Sequence, residues 1–205
     1  MRGSRLRFDD RGSTLPIYIW LTAILLFAAL AFFVFAQAAS ARGGAQSAAD
    51  AAALAAAQQA REDLLLDFGD AIEAGDDDWL DWLDLLDGLP ADGATAAAQE
   101  LAAANDSTVL GGAQPTEAGG FPGFRVEVQT DYTVGDSIIP GTESRPATAQ
   151  ATAVVQPRCD VDVEADPAKP VTLDCDGQPV DIDPDNFDPD DLPDASVMFS
   201  VRLAE

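Results

Sequence analysis

The stretch Leu15–Ala36, LPIYIWLTAILLFAALAFFVFA, runs for 22 residues without a charge. Thr22 is its only clearly polar side chain. As a helix it would be about 33 Å long, against a hydrocarbon core of about 30 Å. No soluble core of this chain could absorb so continuous an apolar cylinder. Large apolar side chains are sparse beyond residue 40, so any folded body is small. Pro16 falls in the first turn, where a missing N–H costs little. Tyr18 and Trp20 stand near the start, as aromatic residues do at a membrane interface.

Two readings of the run compete. A signal peptide would use the arginines before it and the small-x-small site Ala36–Gln37–Ala38. A retained anchor fits better, because the run exceeds the 7–15 residues of a usual signal core. Helical sequence also continues past the candidate cut. In either case Arg2, Arg5, Arg7 and Arg11 favour a cytoplasmic N-terminus and an external body.

Charge narrows the function. The net charge is −25, from 11 basic and 36 acidic residues. Four of the basic residues precede the run, with only Asp9 and Asp10 against them. The remainder is strongly acidic and repels nucleic acid, so no nucleic-acid partner is expected. There is no histidine, which removes His-dependent triads and most zinc chemistry. No nucleophile–base pair or phosphate loop is present, and aspartates alone do not make an active site. The chain reads as non-enzymatic, without catalytic residues, cofactor or metal ligands. Asp181, Asp183 and Asp185 alternate in a calcium-like manner, yet the loop lacks the glycine and terminal glutamate of an EF-hand. Solvated acidic loop is the default reading.

Past the run, ARGGAQSAADAAALAAAQQAREDLLLDFGDAIEAG (41–75) is rich in strong helix formers. Leu54, Arg61, Leu64, Leu65, Phe68 and Ile72 fall mostly on one face. The spacing predicts one long N-terminal helix, half in lipid and half out, with Gly43–Gly44 placed to bend it and Gly75 to end it. Ala45, Ala49, Ala52, Ala53, Ala56 and Ala60 form small faces that would let another backbone approach. Gln46, Asp50, Gln58 and Gln59 offer polar contacts beside them. This is the expected assembly site for other subunits: Ala45, Gln46, Ala49, Asp50, Ala52, Ala53 and Ala56.

DDDWLDWLDLLDGLP predicts a second helix with Trp79, Trp82, Leu83 and Leu86 on one stripe, closed by Gly88 and Pro90. ATAAAQELAAANDS predicts a third, ending near Asn105. A Gly/Pro-rich link follows over 111–123. The period then changes to two: Phe124, Val126, Val128, Tyr132 and Val134 alternate with polar residues. Ala147–Val155 is a second strand, and Val197, Phe199, Val201 and Leu203 mark another.

In CDVDVEADPAKPVTLDC (159–175), a turn around Pro167 would place Cys159 opposite Cys175. Val161 would face Leu173, and Val163 would face Val171. Directly opposed strand residues lie at disulfide distance, so apolar pattern and cysteines agree on one register. The same register sets Asp160 against Asp174. The fold class is α+β: a long N-terminal transmembrane helix, two short helices, and a small antiparallel sheet with a disulfide-closed hairpin. Its expected divisions are a cytoplasmic segment 1–12, the membrane helix 13–40, a helical region 41–110, the link 111–123 and a β region 124–205.

Two blocks together resemble the TadE/TadG-like proteins of tight-adherence (Flp) pilus systems. One is RGSTLPIYI at the mouth of the apolar run. The other is AQSAADAAALAAAQ, close to the family's Q-x-A-A-D-A-A-A-L-A signature. The resemblance covers roughly residues 11–60, and the later RVEVQTDYTV looks like the external part of actinobacterial members. It implies a membrane-anchored, pseudopilin-like accessory whose partners are the membrane and other pilus-assembly or pilin-like proteins. Processed pilins of the wider group carry glycine at the cut, glutamate five residues later and tyrosine six. Gly12 and Tyr18 fit that pattern but Ile17 replaces the glutamate, so the Gly12–Ser13 bond is expected to stay intact.

Overall fold

A computed structural model describes residues 14–85, 88–133, 146–162 and 164–204. Gly12, Ser13, Leu86, Val134 and Val163 lie outside the described residues. The element order is α1 (Thr14–Glu73), α2 (Ala94–Ala103), β1 (Ser107–Ala118), β2 (Phe121–Thr133), β3 (Pro146–Pro157), β4 (Cys159–Asp160), β5 (Val171–Cys175), β6 (Gln178–Ile182), α3 (Ala195–Met198) and β7 (Phe199–Leu203). The strands form two antiparallel sheets, ordered β1-β2-β3-β7 and β4-β5-β6.

The long helix is continuous for 60 residues. It passes through Gly43 and Gly44 without a break, contrary to the expected bend. Gly44 instead makes room for a neighbour, since a Cβ there would overlap the Tyr132 hydroxyl. The helix ends in a Schellman pattern: Gly75 N–H donates to Ile72 O and Asp76 N–H to Ala71 O, both at 3.0 Å, with Gly75 at φ +70°.

From Ala41 onward α1 is the spine of the core. Leu64, Phe68 and Ile72 are buried on the face that the spacing predicts, with Leu54 and Leu65 partly buried. The inner face of the large sheet packs on it through Phe124, Val126 and Val128 from β2, and Ala151, Ala153 and Val155 from β3. Those pairs fall in one register, Phe124 opposite Ala153 and Val126 opposite Ala151. Their alternation is what the sequence shows.

The Gly/Pro-rich stretch 111–123 is no link. Residues up to Ala118 belong to β1, and β2 begins at Phe121. Its two glycine pairs do different jobs. Gly111 and Gly112, at φ +73° and +80°, make a bulge between Leu110 and Gln114. Gly119 and Gly120, at φ +61° and +82°, form the two-residue turn of the β1–β2 hairpin. Pro115 is tolerated because β1 is an edge strand.

The expected tryptophan helix is a single 3₁₀ stretch, Trp79–Asp84. No side chain caps its start, and Leu85 follows it in the left-handed region at φ +56°, which ends the stretch. Tertiary contacts hold it instead. Trp79 is buried, meets Phe68 edge-to-face at 5.6 Å, and donates from Nε1 to Pro167 O at 3.0 Å. Trp82 is half-buried and Leu83 is buried.

The cysteine register holds. Cys159 pairs with Cys175 and Asp160 with Asp174, and the two cysteines are bonded with Cα atoms 3.9 Å apart. Only those two residues of the first arm are strand. Asp162 and Asp166 accept from the backbone N–H groups of Glu164 and Ala168, which turns the chain away before Val161 can pair with Leu173. Leu173 pairs on its other edge with Val180 of β6. That strand is reached by an Asp176–Gly177 turn, with both residues at positive φ. The bridge closes a loop of 16 residues' separation. Replacing both cysteines with serine is expected to cost about 3 kcal/mol in urea unfolding. An unchanged midpoint would contradict it.

Candidate functional site

The first stretch of α1 touches nothing in the fold. Every described residue from Thr14 to Leu30 is exposed, with Tyr18 68%, Trp20 72% and Phe27 74% accessible. Phe32 and Phe35 are each 77% exposed. The Thr22 hydroxyl donates to Tyr18 O at 2.7 Å, which satisfies the one polar side chain of the run without water. α1 is long and apolar enough to cross a membrane by this segment. The candidate cut at Ala36–Gln37–Ala38 falls inside the continuous helix.

The residues expected to meet other subunits are placed otherwise. Ala45, Ala49, Ala52, Ala53, Ala56 and Ala60 are fully buried, and they belong to the chain's own core. Small side chains do permit close backbone approach, as read, but the approaching elements are α2, β2 and β3 of the same chain. The assembly reading of that alanine face is therefore corrected to an intrachain contact. Gln46 and Asp50 differ: Gln46 is exposed, Asp50 half-buried, and Gln46 Nε2 donates to Asp50 Oδ1 at 2.7 Å. Both line a cavity of about 350 Å³ with Arg125, Gln150, Thr152, Leu203 and Ala204. Gln59 is tied to Asp63 in the same i,i+4 manner at 2.9 Å, and Gln58 is exposed.

The aspartates do local structural work. Asp183 and Asp188 each accept from the backbone N–H two residues on, with a proline between, and Asp194 accepts from Ser196 N–H across Ala195 at the start of α3. The Ser196 hydrogen bonds hold the Asp194 carboxyl below the usual range. Another cavity, about 490 Å³, is lined by Asp77, Asp81, Asp84, Asp160 and Asp162. Among the described residues no three acidic side chains converge closely enough to hold a metal ion.

Residues 12–59 match the family model for putative Flp pilus-assembly TadE/G-like proteins. No curated protein and no solved structure matches the chain. The TadE/G-like segment spans the exposed apolar helix and the buried alanine face up to Ala57, including Gln46 and Asp50. It therefore joins the two regimes of α1, lipid-ready and core-forming, in one unit. The two sheets lie outside the matched residues.

On the exposed side of α1, Asp63, Asp67 and Asp70 follow one another at helical spacing. Burial raises the Asp67 pKa, and the neighbouring carboxylates of Asp63, Asp70 and Asp92 raise it further. The folded state thus binds this proton more readily than the unfolded one. Stability falls as pH rises through the window between the unfolded and the raised folded pKa, and the penalty is full above it. Like-charged helical neighbours cost about 0.2–0.5 kcal/mol per pair. Asp67→Asn is expected to stabilise the domain by about that amount at pH 7, with no gain at pH 3. Equal gains at both pH values in denaturant titrations would contradict this.

Proposed function

We propose that the protein is a non-enzymatic, membrane-anchored accessory or minor subunit, pseudopilin-like, of a Tad/Flp-type pilus assembly or secretion apparatus. The observation that carries the reading is the TadE/G-like match over a helix whose first half is bare and apolar. The N-terminus lies in the cytoplasm and residues beyond about 40 lie outside. The disulfide supports that orientation, because such bonds persist in oxidising compartments. The partners are the membrane and other Tad/Flp assembly proteins or pilin-like subunits. Residues 1–12, 13–40 and 41–205 act as cytoplasmic tail, anchor and external body. Since the alanine face is filled from within, contacts in the membrane are left to the exposed apolar stretch of α1.

One observation favours a second reading, an exported acidic protein using the segment as a signal peptide. Packing begins only at Ala41, so a chain starting at Ala39 would keep its whole core. Fractionation with N-terminal sequencing separates the two. The membrane fraction is expected to hold a chain that retains the apolar run and an intact Gly12–Ser13 bond. A mature chain starting at Ala39 would favour the signal-peptide reading. A chain starting at Ser13 would mean that prepilin-type processing tolerates Ile17.

A further inference from the structure

We propose that Arg42 of α1 and Tyr132 of β2 form a phospholipid-headgroup contact that seats the external body directly on the bilayer. The proposal rests on the membrane-anchor reading above. Tyr18 and Trp20 mark the inner interface. α1 carries no tyrosine or tryptophan beyond Trp20, so its outer end has no aromatic belt of its own. The sheet supplies one. The Tyr132 hydroxyl occupies the space that a Cβ on Gly44 would fill, which docks the ring on α1 at the level of Gly44.

A continuous helix fixes relative depth, and α1 is unbroken from Thr14 to Glu73. At the helical rise, Tyr18 and Gly44 are about 39 Å apart. A bilayer is about 40–45 Å thick with its headgroups and about 30 Å without them. Hydrocarbon that begins at Trp20 therefore ends near Ser40. Gly44, with Tyr132 on it, falls about 6 Å beyond that point, inside the outer headgroup layer. Arg42 falls about 3 Å beyond it. No charged residue lies between Arg11 and Arg42, and Arg42 is exposed. Burial begins at Ala41, so the body starts where the hydrocarbon stops.

Both side chains suit that layer. Tyr132 is 40% exposed even with its hydroxyl against α1, which leaves ring surface for the ester and glycerol region. Arg42 offers a fork of donors that matches a phosphodiester. Asp106 and Asp131 stand at the same end of the sheet, Asp131 N–H donating to Asp106 O and the Thr108 hydroxyl to Asp131 Oδ1. They oppose attraction to net negative charge, so the ligand is the phosphodiester layer of any phospholipid, neutral lipid included. The two side chains also set a height. The run Leu15–Ala36, centred alone, would end the hydrocarbon at Ala36 and lift the body about 6 Å off this position. Arg42 and Tyr132 hold it down.

The test places nitroxide labels on the full-length chain in phosphatidylcholine vesicles. Both native cysteines are bonded to each other, so a single added cysteine takes the label. Thr133→Cys, exposed beside Tyr132, reports the contact. Gln58→Cys, exposed on α1 about 21 Å beyond Gly44, reports bulk water. Phe27→Cys reports the anchor. The label at 133 is expected to lose most of the exposure to a water-soluble nickel relaxant that the label at 58 shows. Arg42→Gln with Tyr132→Ser should restore that exposure, and added phosphatidylglycerol should leave the wild-type depth unchanged. Equal nickel exposure at 133 and 58, with 27 shielded, would overturn the proposal and leave the anchor standing. Nickel exposure at 27 would overturn both. A double variant with a lowered thermal midpoint but the label at 133 still shielded would reduce Tyr132 to a filler of the Gly44 notch, and so overturn the proposal. If the double variant does not fold, the three labels on the otherwise wild-type chain decide alone.

Discussion

Replacing Ala49, Ala52 and Ala56 together with leucine is expected to unfold the external domain. All three are at 0% exposure between α1, α2 and the inner face of the large sheet. Each change inserts three carbons where backbone and sheet already touch, and such overpacking typically costs about 1–3 kcal/mol per site. Three neighbouring sites on one helix face cannot relax independently. Their sum is comparable with the whole stability of a small domain, about 5–15 kcal/mol. The expected result is loss of the cooperative thermal transition of the full chain in detergent. A variant that keeps its sheet while losing only contacts to other proteins would restore the intermolecular reading of these alanines.

Trp79→Ala carries the next largest expected effect. Trp79 is the largest fully buried side chain described, and it joins three parts of the fold. Its ring packs on Phe68 of α1, its backbone belongs to the 3₁₀ stretch, and its Nε1 holds Pro167 in the loop closed by the disulfide. Truncating a buried tryptophan costs about 3–5 kcal/mol. Pro167 O also loses its donor. The loss should be read by urea unfolding with the disulfide intact. A Trp79→Phe variant should recover part of it, since the ring returns but the hydrogen bond does not. A loss below about 1 kcal/mol for Trp79→Ala would show that the disulfide sheet does not lean on this residue.

Much of this architecture is legible in the sequence, for local reasons. β2 shows its inner face by strict alternation of Phe124, Val126 and Val128 with charged and polar residues. Cys159 and Cys175 fix one register because only one pairing brings them opposite. What is not legible depends on partners distant in the chain. A small-residue face such as Ala49–Ala52–Ala56 admits any close backbone, and the residues themselves do not say whose. Here it is the chain's own sheet that approaches. β1 is hidden because its glycine pairs resemble a linker, although each sits at a spacing that a bulge or a two-residue turn requires. A signal for β6 exists in the Asp-Gly between VTLDC and QPVDI. The acidic loop also carries its own explanation, since Asp183-Pro184-Asp185 and Asp188-Pro189-Asp190 repeat the pattern of a capping aspartate followed by proline.

The central claim is that the bare apolar half of α1 stays in the membrane and meets Tad/Flp components there. A photo-crosslinker in place of Phe32, which is 77% exposed, measures this most directly in cells of the native host. The expected result is a membrane-fraction adduct between the full anchor-bearing chain and another Tad/Flp assembly or pilin-like protein, identified by mass spectrometry. Absence of any such adduct, with the protein recovered outside the cells as a chain beginning at Ala39, would contradict it.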